Sequence, residues 1–327
     1  MTNKEILKFQ SKYQKDPVGF MTDCLDVKKE NVWGKMVEVA ESVRDYQHTA
    51  VKAGNSVSKS YVMGRLALWF LFTHYPSTVI TTAPSYPQVE EILWREITTA
   101  YSNAKIPLGG KLTKTQLDLQ CGEGEKWFAM GFATKPDTVT QQATRVQGFH
   151  NVWVLVLFDE GAGILNPIWD AKDKLITSPK HKFVTIGNPT VATGRFVDCF
   201  KSSLYNHITI SVLETPNYIE DREVIPGLSG RQFEEQVIQK YGKGSDYYKA
   251  MITGEIPAND IDSLIPIAHI EKAINRMAHP YKFKKRFLTW DVADGGDDPQ
   301  MIKAWENKTE IDSQEIYGKN QWKCYYC

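Results

Sequence analysis

No stretch of this 327-residue chain is apolar for long enough to cross a bilayer. The longest run, Leu66 to Phe72, falls far short of the roughly 20 residues that a spanning helix needs, so a soluble protein with no membrane partner is expected. Neither sign of charge is in excess. Lys plus Arg and Asp plus Glu both total 39, so no global field draws the chain to nucleic acid, and any DNA contact must come from a local patch. Cysteine is sparse: Cys24, Cys121, Cys199, Cys324 and Cys327 form no disulfide framework, and an odd count without a leader peptide is expected of a reducing cytosol. Cys324-x-x-Cys327 is a lone pair, for which chance is a simpler account than half of a zinc or redox site. Internal repeats and low-complexity tracts are missing too, which excludes solenoid and fibrous architectures.

What is present is an ordinary globular composition, 42% hydrophobic and 24% charged, enough for one large domain or two smaller ones. Residues 1–45 are charged and helical in places, with Asp16-Pro17 breaking the first segment and Val37 to Val43 carrying an apolar spacing. Beyond them, β-prone and helical stretches alternate. His48 to Ala53 reads as a short strand, and Tyr61, Val62, Leu66, Trp69 and Phe70 recur at helical spacing. Ser77 to Thr82 is a β-branched strand stopped by Ala83-Pro84, and Val89, Ile92, Leu93, Ile97 and Tyr101 mark an amphipathic helix. Residues 107–135 read as a hairpin region, with Leu117 to Gln120 and Lys126 to Phe132 around Gly122-Glu123-Gly124. Further strands are expected at Val152 to Phe158, Lys182 to Ile186 and His207 to Leu213. This repeating pattern predicts an α/β fold, a parallel sheet with helices on both faces.

Between the first strand and its helix lies Val51-Lys52-Ala53-Gly54-Asn55-Ser56-Val57-Ser58-Lys59-Ser60, which reads as a slightly damaged phosphate-binding loop. In such a loop small residues turn backbone N–H groups around nucleotide phosphates, here over Ala53 to Ser60; Lys59 reaches the β/γ oxygens and the Ser60 hydroxyl coordinates Mg²⁺. The helix opening there adds its positive dipole end. Two positions depart from G-x-x-x-x-G-K-[ST]: Ala53 stands at the first glycine and Ser58 at the second. A Cβ at position 58 disfavours positive φ, so altered nucleotide affinity is expected, and an ordinary strand-to-helix turn is the competing reading.

A second signal tips the balance. Val152 to Phe158 is a continuous apolar run that suits a central strand buried on both faces, and it ends in Asp159-Glu160-Gly161. Ligands of parallel sheets sit at the carboxyl ends of the strands, so Asp159 is a candidate for the Mg²⁺ shell and Glu160 for polarising the attacking water.

In this order the motifs resemble those of the large terminase subunit of tailed bacteriophages, the ATPase motor that packages DNA into procapsids. Lys52 to Ser60 is similar to the family's phosphate loop, Thr82-Ala83-Pro84 with Gln88-Val89 to the motif after its second strand, and Gln147-Gly148-Phe149-His150 to the segment before its acidic strand. Asp159-Glu160 resembles the Mg²⁺ aspartate and catalytic glutamate, and Gly187-Asn188-Pro189 the coupling motif whose polar side chain senses the γ-phosphate. Glu214-Thr215-Pro216-Asn217, Tyr241-Gly242 and Gly254-Glu255-Ile256-Pro257 look like the linker between motor and nuclease, and the likeness spans residues 15–305. It implies a P-loop NTPase core at 46–215, a linker subdomain at 216–283 and the start of a ribonuclease-H-like nuclease at 284–327. It also implies ATP and Mg²⁺ as ligands, double-stranded DNA, a portal protein and a small terminase subunit as partners, a homo-oligomeric ring on the portal, and action in the host cytoplasm.

The departures carry expectations of their own. The family's adenine-reading glutamine has no clear counterpart at Trp33-Gly34-Lys35-Met36, and Lys52 and Arg145 are both candidates for the arginine-finger or sensor role. Phe287 to Asp291 resembles the first nuclease strand, in which Asp291 is a carboxylate for a two-metal site of Mg²⁺ or Mn²⁺ with ions about 4 Å apart. Asp294, Asp297 and Asp298 suit a turn better than a metal shell. Because the family's other acids come from later strands and the chain stops at Cys327, a truncated nuclease without cleavage activity is expected. A non-enzymatic remnant that binds DNA or portal, and a helicase-like ATPase, are the competing readings.

Overall fold

A computed structural model of the chain describes residues 3–119, 126–134, 149–261, 285–291, 300–306 and 309–316. The chain divides into two compact units, Met1–Ser263 and Leu264–Cys327.

The first unit is organised by an eight-stranded sheet. Its strands are β1 (His48–Ala53), β2 (Ser77–Ala83), β3 (Lys111–Leu112), β4 (Gln116–Asp118), β5 (Phe128–Ala133), β6 (Trp153–Asp159), β7 (His181–Gly187) and β8 (Asn206–Ile210), in the spatial order β3-β4-β5-β2-β6-β7-β1-β8. From β5 across to β8 every neighbouring pair is parallel, while β3 and β4 extend one edge antiparallel. The central strands lack polar alternation because both of their faces are buried. In β6, Leu155 and Leu157 enter one core while Val154, Val156 and Phe158 enter the other. The first core is covered by α1 (Asn3–Gln14), α2 (Pro17–Asp23), α3 (Gly34–Asp45), α4 (Lys59–Thr73) and α5 (Trp94–Ser102). Helices Asn166–Leu175 and Arg195–Cys199 cover the second. The fold class is the expected one.

Local chemistry sets the helix boundaries. Asp16 caps α2 by accepting the Gly19 N–H at 2.8 Å, and Pro17 takes the first turn, where its missing donor is harmless. Helix α4 is buried on nearly every side from Val62 to Thr73, as its largely apolar sequence requires, with the one charge in that stretch, Arg65, buried against Asp26 and Glu96.

Two expectations are corrected. The helix after β2 is not a regular amphipathic one, because Gln88–Leu93 is a π-helical stretch. The wider turn shifts the buried face, so Val89, Leu93, Trp94 and Ile97 are inside while Ile92 is 48% exposed. The strand expected to reach Leu213 ends at Ile210. Ser211 there starts a 3₁₀ turn with a reciprocal capping box: Ser211 Oγ accepts the Leu213 N–H at 3.1 Å, and Glu214 Oε2 accepts the Ser211 N–H at 2.9 Å. The hairpin region forms as β4 and β5, and Gly122-Glu123-Gly124 lies outside the described residues.

In the second unit, β9 (Arg286–Asp291), β10 (Gln300–Glu306) and β11 (Thr309–Ile316) form an antiparallel sheet in the order β11-β10-β9. The strand at Phe287 to Asp291 is therefore present. Asp294, Asp297, Asp298, Cys324 and Cys327 lie outside the described residues.

Candidate active site

The sheet register gathers the three motifs. Asp159, the last residue of β6, is level with Ile186 of β7, and Gly187 at the end of β7 is level with Lys52 of β1. The chain then leaves β6 as Glu160, β7 as Asn188 and β1 as the loop from Gly54, side by side at the carboxyl edge of a parallel sheet. That is where such sheets bind ligands.

Their side chains interlock. Lys59 Nζ donates to the Gly54 carbonyl at 3.1 Å and to Asn188 Oδ1 at 2.9 Å, and lies 4.0 Å from Glu160 Oε1. Asn188 Nδ2 donates to the Ala53 carbonyl at 2.7 Å, and the Asn188 N–H donates to Glu160 Oε2 at 3.4 Å. Ser60 Oγ donates to Asp159 Oδ2 at 2.8 Å.

The loop is shaped by strain and by its neighbours. Of the four non-glycine residues with positive φ among the described residues, three belong to this site: Ser56 (φ 51°), Ser58 (φ 67°) and Glu160 (φ 50°). The left-handed conformation, foreseen as unfavourable for Ser58, is adopted nonetheless at roughly 1–2 kcal/mol per residue. Strain of this kind persists only where surrounding contacts over-determine it. Around Gly54, Asn55 and Ser56 such contacts come from the end of β8 and the segment that follows it. The Gly54 N–H donates to the Ile210 carbonyl and the Asn55 N–H to the Met251 carbonyl, each at 2.8 Å. Ser229 donates its N–H to the Ser56 carbonyl and its hydroxyl to the Asn55 carbonyl, each at 2.9 Å. The approach is so close that a Cβ on Gly54 would stand 2.8 Å from the Ile252 oxygen, and one on Gly254, itself at φ 68°, 2.8 Å from the Ile210 oxygen.

Electrostatics suit a phosphate and a divalent cation. Burial lowers the affinity of the Lys59 amine for its proton, against the pull of Glu160 and Asp159. Burial and the neighbouring Glu160 raise the Asp159 carboxyl to about 6, against Ser60 and Lys59. A buried carboxylate beside a second acid gains from a nearby cation, and a buried ammonium gains from an anion. No cluster of three or more His, Cys, Asp or Glu side chains able to hold a metal ion occurs among the described residues. The donor set here, one hydroxyl and one carboxylate, instead fits Mg²⁺ completed by phosphate oxygens and water.

Not every candidate joins this cluster. Lys52 is half-buried on the other side of β1, with its ammonium 5.9 Å from the centre of the Phe200 ring, and burial lowers its pKa. Arg145, Gln147 and Gly148 lie outside the described residues. Asp291 ends β9 in the second unit, and no metal cluster forms around it among the described residues. Ser229 and Met251 escape sequence reasoning because they act through backbone groups and a hydroxyl far from the loop in the chain; only Gly254, within a quoted linker motif, carried a local signal.

No protein-family model matches the sequence, and no curated protein matches it. The fold is similar to that of solved structures. The large terminase from a thermophilic bacteriophage has a TM-score of 0.50 and 14% identity over 87% of this chain and 68% of that one. The same protein in complex with ADP has a TM-score of 0.50 and 14% identity over 88% and 69%. The large terminase ATPase domain of Thermus phage P74-26 has a TM-score of 0.47 and 14% identity over 67% and 92%. At such identity the two matches with a TM-score of 0.50 establish a shared fold.

Proposed function

We propose that this chain is the ATP-hydrolysing motor subunit of a viral DNA-packaging machine. The observation that carries the reading is the convergence of Lys59, Ser60, Asp159, Glu160 and Asn188 at one sheet edge, with Lys59 hydrogen-bonded to Asn188 and Ser60 to Asp159. Its fold resembles that of a large terminase solved with ADP, which supports nucleotide binding by this chain.

In this reading Ala53 to Ser60 wrap the phosphates and Lys59 neutralises the β/γ oxygens. Ser60 and Asp159 would hold Mg²⁺, which when bound would offset the negative charge on the phosphate oxygens. Glu160 orients a water and takes its proton as the water oxygen bonds to the γ-phosphorus and the bond to the β–γ bridging oxygen breaks. Asn188 contacts Lys59 through its side chain and the Glu160 carboxylate through its N–H, which supports a role in sensing the γ-phosphate and passing its loss along β7. Translocation of double-stranded DNA into a procapsid would use phosphate contacts independent of sequence. A portal protein, a small terminase subunit and further copies of this chain in a ring are the proposed partners, with Lys52 or Arg145 as the finger or sensor and Asp291 as a nuclease carboxylate. ATP turnover by the full chain, measured with and without duplex DNA, tests the reading; stimulation by DNA supports it, and no turnover in either condition overturns it.

A further inference from the structure

We infer that Ser229 is a positioning residue that aims the phosphate loop, an inference resting on the nucleotide-binding reading above. In a trans peptide the N–H points away from the preceding C=O, so fixing a carbonyl fixes the direction of the next amide. Ser229 Oγ holds the Asn55 carbonyl, which sets the peptide plane before Ser56 and turns the Ser56 N–H the opposite way. The Ser229 N–H holds the Ser56 carbonyl, which sets the plane after Ser56 and turns the Val57 N–H the opposite way. One residue therefore clamps both planes flanking Ser56, where φ is +51° and glycine would be the ordinary choice. Met251 repeats the device one peptide earlier: its carbonyl takes the Asn55 N–H, and the Gly54 carbonyl faces the other way, onto Lys59.

Ser229 can act as a clamp because it is itself held. Thr215 Oγ1 donates to the Ser229 carbonyl at 2.7 Å. The buried Asn217 side chain donates to the Ile225 and Leu228 carbonyls and accepts the Val224 and Ile225 N–H groups, which closes the turn leading into Ser229. The positive φ of Ser56 is thus held from outside the loop.

The test is equilibrium titration of the full chain with a fluorescent ADP analogue, in wild type, Lys59→Ala, Ser229→Ala, Ser56→Gly and the Ser229→Ala/Ser56→Gly double variant. Loss of one hydrogen bond in Ser229→Ala is expected to weaken binding roughly 2- to 12-fold. A glycine at 56 adopts positive φ without the clamp, so in the Ser56→Gly background the same substitution is expected to weaken binding less than about 2-fold. The thermal midpoint without nucleotide should stay within about 2 °C of wild type. Unchanged affinity in Ser229→Ala, or a loss as large with glycine at 56 as without it, overturns the inference while leaving the active site standing. A wild-type chain that binds no analogue, or that binds it equally well with Lys59→Ala, overturns the active-site reading and the inference with it.

Discussion

Lys59 and Asn188, at the ends of different β-strand connections, are hydrogen-bonded at 2.9 Å, and the same asparagine reaches the Ala53 carbonyl through its amide nitrogen. The side chain after β7 thereby ties Lys59 to the start of the loop that precedes it. Replacing Asn188 with alanine is expected to lower kcat for ATP by on the order of 10-fold or more, because Lys59 loses the side-chain oxygen that positions it while the backbone N–H bond to Glu160 remains. KM should change by less than about 3-fold, since the loop and Lys59 remain. Steady-state kinetics of Asn188→Ala against wild type read both parameters.

Arg65 is 1% exposed and pairs with Asp26 through two nitrogens at 2.6 and 3.1 Å and with Glu96 at 2.6 Å, while its guanidinium lies 3.4 Å from the Tyr61 ring centre. It joins α4 to the chain after α2 and to α5. Arg65→Ala leaves Asp26 without its buried partner and is expected to destabilise the chain by roughly 3–5 kcal/mol. Arg65→Met, which retains the aliphatic bulk, should cost less than Arg65→Ala. Urea unfolding curves of both variants decide the order.

His48 and His74 are both buried, and burial lowers each imidazole from 6.5 to about 4, with Lys172 adding to the shift at His48. The folded state therefore resists protonation more than the unfolded chain does. Their neutral forms contribute stability that is complete above about pH 6.5 and lost as pH falls towards 4, on the order of 3 kcal/mol for each at the acid limit. Thermal midpoints at pH 7.5 and 4.5 should show a smaller acid loss in His74→Phe than in wild type, and an equal loss would refute the assignment.

The parts legible in the sequence are those whose chemistry is local. Apolar runs reveal central strands, and residues at or just past a strand end, such as Asp159-Glu160 and Asn188, are placed by the sheet without further information. The turn at Ser211 was equally local: Ser211-Val212-Leu213-Glu214 is a capping box, yet the apolar residues inside it read as continued strand. The π-helical turn at Gln88–Leu93 left no periodic trace, because one wide turn simply shifts the pattern. Ser229 was out of reach for a different reason. Its bonds to Asn55 and Ser56 bind backbone carbonyls, which every residue carries, across a long separation in the chain.

The central claim is that one sheet edge hydrolyses ATP with Lys59 on the phosphates and Glu160 on the water. The direct measurement is phosphate release from ATP by the full chain with linear duplex DNA, in wild type, Lys59→Ala and Glu160→Ala. Turnover in wild type that falls by on the order of 100-fold or more in each variant is the predicted result. Turnover that survives both substitutions would contradict the account.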